Sequence, residues 1–179
     1  RANKMGEMFF SMDLVDGDNL QEWMDDERLY MGTDGQQEAR LISIAHQLAC
    51  GLRHLHLRGI LHKDVKPTNV LMTKEGMPVL SDLGVSNEGT IENGRVRATF
   101  RGGTPVYASP HVRQLFFEAK ALPMAERLAY LQEHQITHLD DFFSLGATVL
   151  DMFAECGWRR GQSIAEVLTA TLSHDTKLR

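Results

Sequence analysis

The most regular feature of the chain is a three- and four-residue recurrence of apolar side chains between Gln36 and Leu57. Leu41, Ala45, Leu48, Leu52 and Leu55 keep it, which predicts a long amphipathic helix, with Gly59 where a helix stops. Upstream the period is two. Met8, Phe10, Met12 and Leu14 share one face of a predicted half-buried strand. It runs into the turn cluster Asp16-Gly17-Asp18-Asn19. Asn19 and Glu22 then form a capping-box pattern ahead of a short helix carrying Leu20, Trp23 and Met24. Val70-Leu71-Met72 and Pro78-Val79-Leu80 flank Thr73-Lys74-Glu75-Gly76 as a small hairpin. Residues 84–105 are polar and glycine-rich, which predicts a long, mobile surface loop of the functional kind. Met124, Leu128 and Leu131 mark an amphipathic helix. Phe142, Phe143, Leu145, Val149, Leu150, Met152 and Phe153 surround most of another, which predicts a buried one. Ser163-Ile164-Ala165-Glu166 is a capping box that opens a further helix.

Composition narrows the function classes. Of 179 residues, 42% are hydrophobic, enough for one good core. The net charge of −5 lacks the basic stripe of a nucleic-acid-binding module, and no polybasic membrane patch occurs. No apolar run approaches the ~18 residues a membrane span needs. Two cysteines cannot build a disulfide framework, which speaks for an intracellular rather than a stapled secreted domain. Cys50, inside the long helix, reads as a small buried apolar residue. The chain opens Arg1-Ala2-Asn3-Lys4 and reads as a piece of a longer protein.

The chemistry concentrates in His62-Lys63-Asp64-Val65-Lys66-Pro67-Thr68-Asn69. In a tight loop, Asp64, Lys66 and Asn69 converge. Asp64 can accept a proton, Lys66 can neutralise a phosphate, and Asn69 can offer an oxygen to a hard cation such as Mg2+. Thirteen residues on, Asp82-Leu83-Gly84 supplies a second carboxylate at the end of the hairpin. One carboxylate and one amide oxygen, completed by water and phosphate, suit Mg2+. His134 and His138, four apart, read as surface histidines rather than metal ligands.

These residues resemble the eukaryotic-type protein kinases. The catalytic run resembles H-R-D-L-x-x-x-N, and Asp82-Leu83-Gly84 resembles D-F-G. Gly103-Thr104-Pro105-Val106-Tyr107-Ala108-Ser109-Pro110-His111 resembles G-T-P-x-Y-x-A-P-E. Asp141-Phe142-Phe143-Ser144-Leu145-Gly146 resembles the D-x-W-S-L-G start of the central helix. The resemblance implies an α+β, protein-kinase-like fold. Residues 1–179 then form one partial kinase domain: 1–16 the last small-lobe strand and hinge, 17–179 the large helical lobe, with an inserted helix near 120–138. The Gly-rich loop and the phosphate-binding lysine of the small lobe are absent.

The implied activity is transfer of the ATP γ-phosphoryl, with Mg2+, to a Ser or Thr hydroxyl of a protein substrate. Lys66-Pro67-Thr68-Asn69 and Gly103-Thr104-Pro105 resemble the Ser/Thr branch. Asp64, Lys66 and Thr104 take the catalytic roles by resemblance. Asp13, Val15, Asn19, Lys66, Asn69, Leu71 and Asp82 line the nucleotide site, with Asn69 and Asp82 on the metal. His62 is implied to be a core residue packed against Leu83, and Leu83 an apolar plug. Thr99 is the expected activating phosphosite, with Thr90 second. The chain departs from the pattern at Lys63, which stands for arginine and meets a phosphate only as a point charge, and at Ser109 and His111, which stand for Ala and Glu. A pseudokinase, using the same fold as a binding or allosteric module, is the alternative. A small-molecule phosphotransferase ranks third, because it lacks the Gly-Thr-Pro-x-Tyr segment. The inserted helix is either surface decoration or a docking element for a substrate or regulator.

Overall fold

The apolar stripe of the long helix decides where the rest of the chain packs. The computed structural model describes residues 14–92, 95–100 and 102–154, so the alternating segment up to Asp13 and the Ser163 capping box lie outside the described residues. The long helix, α2 (Asp34–His56), buries Leu41, Ile44, Leu48, Leu52 and His56. Ala45 and Leu55 sit at the edge of that stripe. Cys50 is exposed, a correction to its expected burial, because position 50 falls two residues past Leu48, about 200° around the helix. The chain leaves α2 at Leu57, and Gly59 takes the left-handed conformation (φ +75°) that turns it into β2 (Ile60–Leu61).

Ahead of α2 the expected turn cluster is a short strand. β1 (Gly17–Asn19) is the edge of an antiparallel three-stranded sheet with β3 (Val70–Thr73) and β4 (Pro78–Leu80), in the order β1-β3-β4. A Cβ on Gly17 would stand 1.8 Å from the Met72 carbonyl oxygen, so pairing this close requires glycine. The predicted hairpin between β3 and β4 is present. Asn19 caps α1 (Leu20–Asp25) as the sequence predicts: its side chain accepts from the Glu22 N–H, and Glu22 accepts from the Asn19 N–H.

Residues 84–105 do not form a featureless loop. β5 (Asn87–Glu88) pairs with β2, and β6 (Thr90–Glu92), β7 (Arg95–Thr99) and β8 (Gln135–Thr137) form a second antiparallel sheet with β7 in the middle. The glycines masked an alternation: Val96 and Ala98 point inward with Phe100, while Arg95 and Arg97 are exposed. Thr99 therefore pairs with Gln135 on a central strand rather than standing on a free loop.

α3 (Pro110–Ala121) and α4 (Met124–Glu133) form a helical hairpin over this sheet. Tyr130 donates to Glu118, and Arg127 Nε donates to the Leu122 carbonyl, closing the end of α3. α4 is amphipathic, but its packed positions are Tyr130 and Leu131; Met124 (85%) and Leu128 (56%) face solvent, against expectation. α5 (His138–Phe153) runs through the centre. It buries Leu145, Ala147 and Met152 with Asp141, Ser144 and Thr148, while Leu139 and Phe142 are exposed, so its burial is one-sided. β8 lies between His134 and His138, so they share no helix face. Among the described residues, no helix is long and apolar enough to cross a membrane.

Two apolar clusters result. One joins α1, α2, β3 and α5 around Leu48, Leu52, Val65, Met72 and Met152. The other joins β7, β8 and α3 around Leu61, Phe100, Val112 and Ile136. Leu61 belongs to the second and Val65 to the first, so the chain between them, with Asp64, bridges the two cores.

Candidate active site

Both ends of the 62–69 run are buried, and the positions between them that reach outward are Asp64, Lys66 and the exposed Thr68. His62, Lys63, Val65, Pro67 and Asn69 are buried, whereas Asp64 and Lys66 are half-buried. Lys66 Nζ lies 2.8 Å from Asp64 Oδ2 and donates to Thr104 Oγ1 at 2.7 Å. Asn69 Nδ2 donates to Asp64 Oδ2 at 2.9 Å and to the Asp64 carbonyl at 2.8 Å. The structure thus brings together Asp64, Lys66, Thr104 and Asn69. Burial alone would push the Asp64 carboxyl up, but the bonds from Lys66 and Asn69, the nearby Thr104 hydroxyl and the Lys66 charge hold it below its usual range. Its Oδ1 is buried and has no hydrogen-bond partner among the described residues.

Asn69 also ties this loop to the second carboxylate. Its carbonyl accepts from the Ser81 N–H at 2.9 Å and the Ser81 hydroxyl at 3.0 Å, one residue before Asp82. Asp82 is exposed and left-handed (φ 59°), and its Oδ1 accepts from the Gly84 N–H at 3.2 Å. With Nδ2 of Asn69 engaged by Asp64, Asn69 and the exposed Asp82 carboxylate have only oxygen to offer a cation, the chemistry that suits Mg2+ rather than a soft metal. Leu83 is 41% exposed instead of plugging the core, because it sits on the short 3-10 turn Leu83–Val85 after Asp82.

The remaining nucleotide-site positions divide. Leu71 and Asn19 are register partners on neighbouring strands, on the sheet face opposite the buried Val70 and Met72. Asn19 already uses its side-chain oxygen on the helix cap. Val15 is half-buried just before β1, and Asp13 lies outside the described residues.

The anchor beneath the loop is Asp141, which the motif resemblance marks without giving it a role. Asp141 is 1% exposed; it accepts from the His62 N–H (2.8 Å), the Lys63 N–H (2.7 Å) and His56 Nε2 (2.7 Å). These bonds hold Lys63 in a left-handed conformation (φ 72°), which costs a non-glycine residue roughly 1–3 kcal/mol. Lys63 Nζ donates to the Thr99 carbonyl at 2.9 Å, so it meets β7 through the backbone. The available signal is an acid that leads directly into the apolar Phe142-Phe143 of α5, since buried acids are almost always paired.

His62 is fully buried, as the resemblance implied. It donates from Nε2 to the Ser81 carbonyl (3.0 Å), and Nδ1 accepts from the Asp64 N–H (3.3 Å). Burial holds its pKa below 6.5 despite the opposing pull of Asp141 and the Ser81 carbonyl. The folded state then binds fewer protons at this ring than the unfolded chain. Its contribution is therefore complete above pH 6.5 and is lost as pH falls through the lower folded value. Urea midpoints measured from about pH 8 to about pH 5 should fall below pH 6.5, and less steeply in His62→Gln. Parallel profiles for the two proteins would refute a buried neutral His62.

Comparison with known proteins agrees with this geometry. The family described as protein kinase domain matches residues 2–174. "Rhodopsin kinase GRK7" of Homo sapiens is 33% identical over 124 residues, 69% of this chain and 19% of that protein. "Serine/threonine-protein kinase Nek5" of Mus musculus is 33% identical over 110 residues, 61% of this chain and 17% of the relative. The "RAC family serine/threonine-protein kinase homolog" of Dictyostelium discoideum is 32% identical over 107 residues, 60% and 22%. The chain belongs to the eukaryotic-type protein kinase family, and its helix-rich α+β architecture is that of a partial kinase fold. It spans about a fifth of the length of these relatives.

Proposed function

We propose that this chain carries the phosphoryl-transfer loop of an ATP-dependent protein serine/threonine kinase that uses Mg2+. The observation that carries the reading is the convergence of Lys66 on Asp64 (2.8 Å) and Thr104 (2.7 Å), with Asn69 on the same Asp64 oxygen. Positioning and charge stabilisation are what phosphoryl transfer asks of a protein. Asp64, ionised at neutral pH, orients the Ser or Thr hydroxyl and takes its proton as the oxygen bonds to the γ-phosphorus and ADP departs. Lys66 neutralises charge on the moving phosphoryl, and Thr104 keeps Lys66 and Asp64 in register. Asn69 and Asp82 are the residues that would hold Mg2+, which when bound neutralises phosphate oxygens.

Two measurements test this on the full-length protein. Wild type should turn over ATP only with Mg2+. Asp82→Asn keeps the side-chain volume but removes a charged ligand. Losing an outer-shell partner of a metal already costs about 10–100-fold, so Mg2+-dependent ATP binding and turnover should both fall at least that far. A Mg2+ titration unchanged by Asp82→Asn would remove this residue from the metal site.

A further inference from the structure

Residues 102–108 carry Thr104 to the site, yet little within the segment fixes its shape. Gly102 and Gly103 have φ of 151° and 153°, and Pro105 and Val106 are exposed. Its internal backbone bonds are long: Tyr107 N–H to the Thr104 carbonyl at 3.2 Å and Ala108 N–H to the Pro105 carbonyl at 3.3 Å. Position must come from tethers. At the front, Gly103 lies so close to the catalytic loop that a Cβ would stand 2.7 Å from the Lys63 carbonyl oxygen. In the middle, Tyr107 donates to Asp151 Oδ2 of α5 at 2.7 Å. At the back stands Ser109, 7% exposed, whose single hydroxyl serves two helices. It accepts from the Val112 N–H at 3.2 Å, capping α3, and donates to Asp140 Oδ1 at 2.6 Å. Asp140 Oδ2 in turn accepts from the Thr137 N–H at 2.8 Å, capping α5, and His111 Nδ1 stands 3.8 Å from Oδ1.

Asp140 and Asp141 are neighbours with different clients. Asp141 fixes the backbone just before Asp64; Asp140 fixes the end of the segment that carries Thr104. We propose that the Ser109–Asp140 bond is a positioning contact that sets Thr104 against Lys66 and Asp64, so that the start of α5 holds both halves of the site in one register. The catalytic consequence rests on the kinase reading; the positioning does not.

The test uses the full-length protein with Ser109→Gly, Ser109→Thr, Asp140→Ala and the double variant Ser109→Gly/Asp140→Ala. Glycine caps a helix nearly as well as serine, so Ser109→Gly removes the bridge and spares the cap. Hydrogen exchange at the Tyr107 and Ala108 amides should accelerate about tenfold in Ser109→Gly, the size of one lost charge-assisted hydrogen bond. Ser109→Thr should stay within about threefold of wild type, and the double variant should exchange no faster than Asp140→Ala. In the active enzyme kcat should fall alongside, with the KM for ATP unchanged and threonine restoring kcat. Unchanged exchange in Ser109→Gly, or additive effects in the double variant, would overturn the proposal. If wild type transfers no phosphoryl group, the kinase reading fails, while the exchange rates still decide the positioning contact.

Discussion

Asp64→Asn in the full-length protein should lower kcat by about 10²–10⁴-fold, the usual contribution of a positioned general base. The geometry makes this a clean substitution. Lys66 and Asn69 both donate to one oxygen, Oδ2, so an asparagine whose oxygen takes that place keeps both bonds. Its NH2 group then replaces Oδ1, the buried oxygen that has no partner among the described residues. The loop keeps the bonds from Lys66 and Asn69 and loses the carboxylate able to take a proton. ATP affinity should change little, because Asp64 is not a proposed metal ligand. Steady-state kinetics with ATP and a peptide acceptor separates the two effects. Asp82→Asn should lower binding and turnover together, whereas Asp64→Asn should lower turnover alone. Wild-type turnover in Asp64→Asn would mean that this loop does no base catalysis.

Asp141→Ala should produce the largest loss of stability, about 3–5 kcal/mol, because it strips a buried hydrogen-bond network of its shared acceptor. The His62 and Lys63 N–H groups and His56 Nε2 would all lose their acceptor in a site 1% exposed to water. Asp141→Asn should cost less, since one oxygen remains. The left-handed Lys63 backbone should also relax, moving Asp64 away from Lys66, so phosphoryl transfer should fail in protein that is still folded. Denaturant midpoints and turnover measured on the same preparations check both parts. A loss under about 1 kcal/mol would show that the loop is anchored elsewhere.

What the sequence disclosed, and what it hid, follows from where each interaction lies. Local patterns were legible: the Asn19–Glu22 capping box, the stripe from Leu41 to Leu52, the hairpin around Gly76, and the cluster of Asp64, Lys66 and Asn69 within six residues. These need only neighbours in the chain. The second sheet was missed because its alternation is short, five residues from Arg95 to Thr99, and its glycine-rich flanks read as a loop. Its partner β8 lies some forty residues further on, where only tertiary contact makes pairing visible. Cys50 was misjudged because buried cysteine is the common case, while the phase of the helix decides the matter here. The Asp141 anchor joins groups 78, 79 and 85 positions apart, and Ser109 meets Asp140 across 31. No spacing rule reaches such pairs. The motif resemblance located these residues without saying what they hold.

The most direct measurement of the central claim is transfer of a labelled γ-phosphoryl group from ATP to protein by the full-length molecule, with Mg2+ present. Phosphoamino-acid analysis of the product should find the label on serine or threonine, and Asp64→Asn should abolish nearly all of it. Binding of Mg2+ and ATP without any transfer, or transfer undiminished in Asp64→Asn, would contradict the account. The first outcome would make the domain a nucleotide-binding pseudokinase.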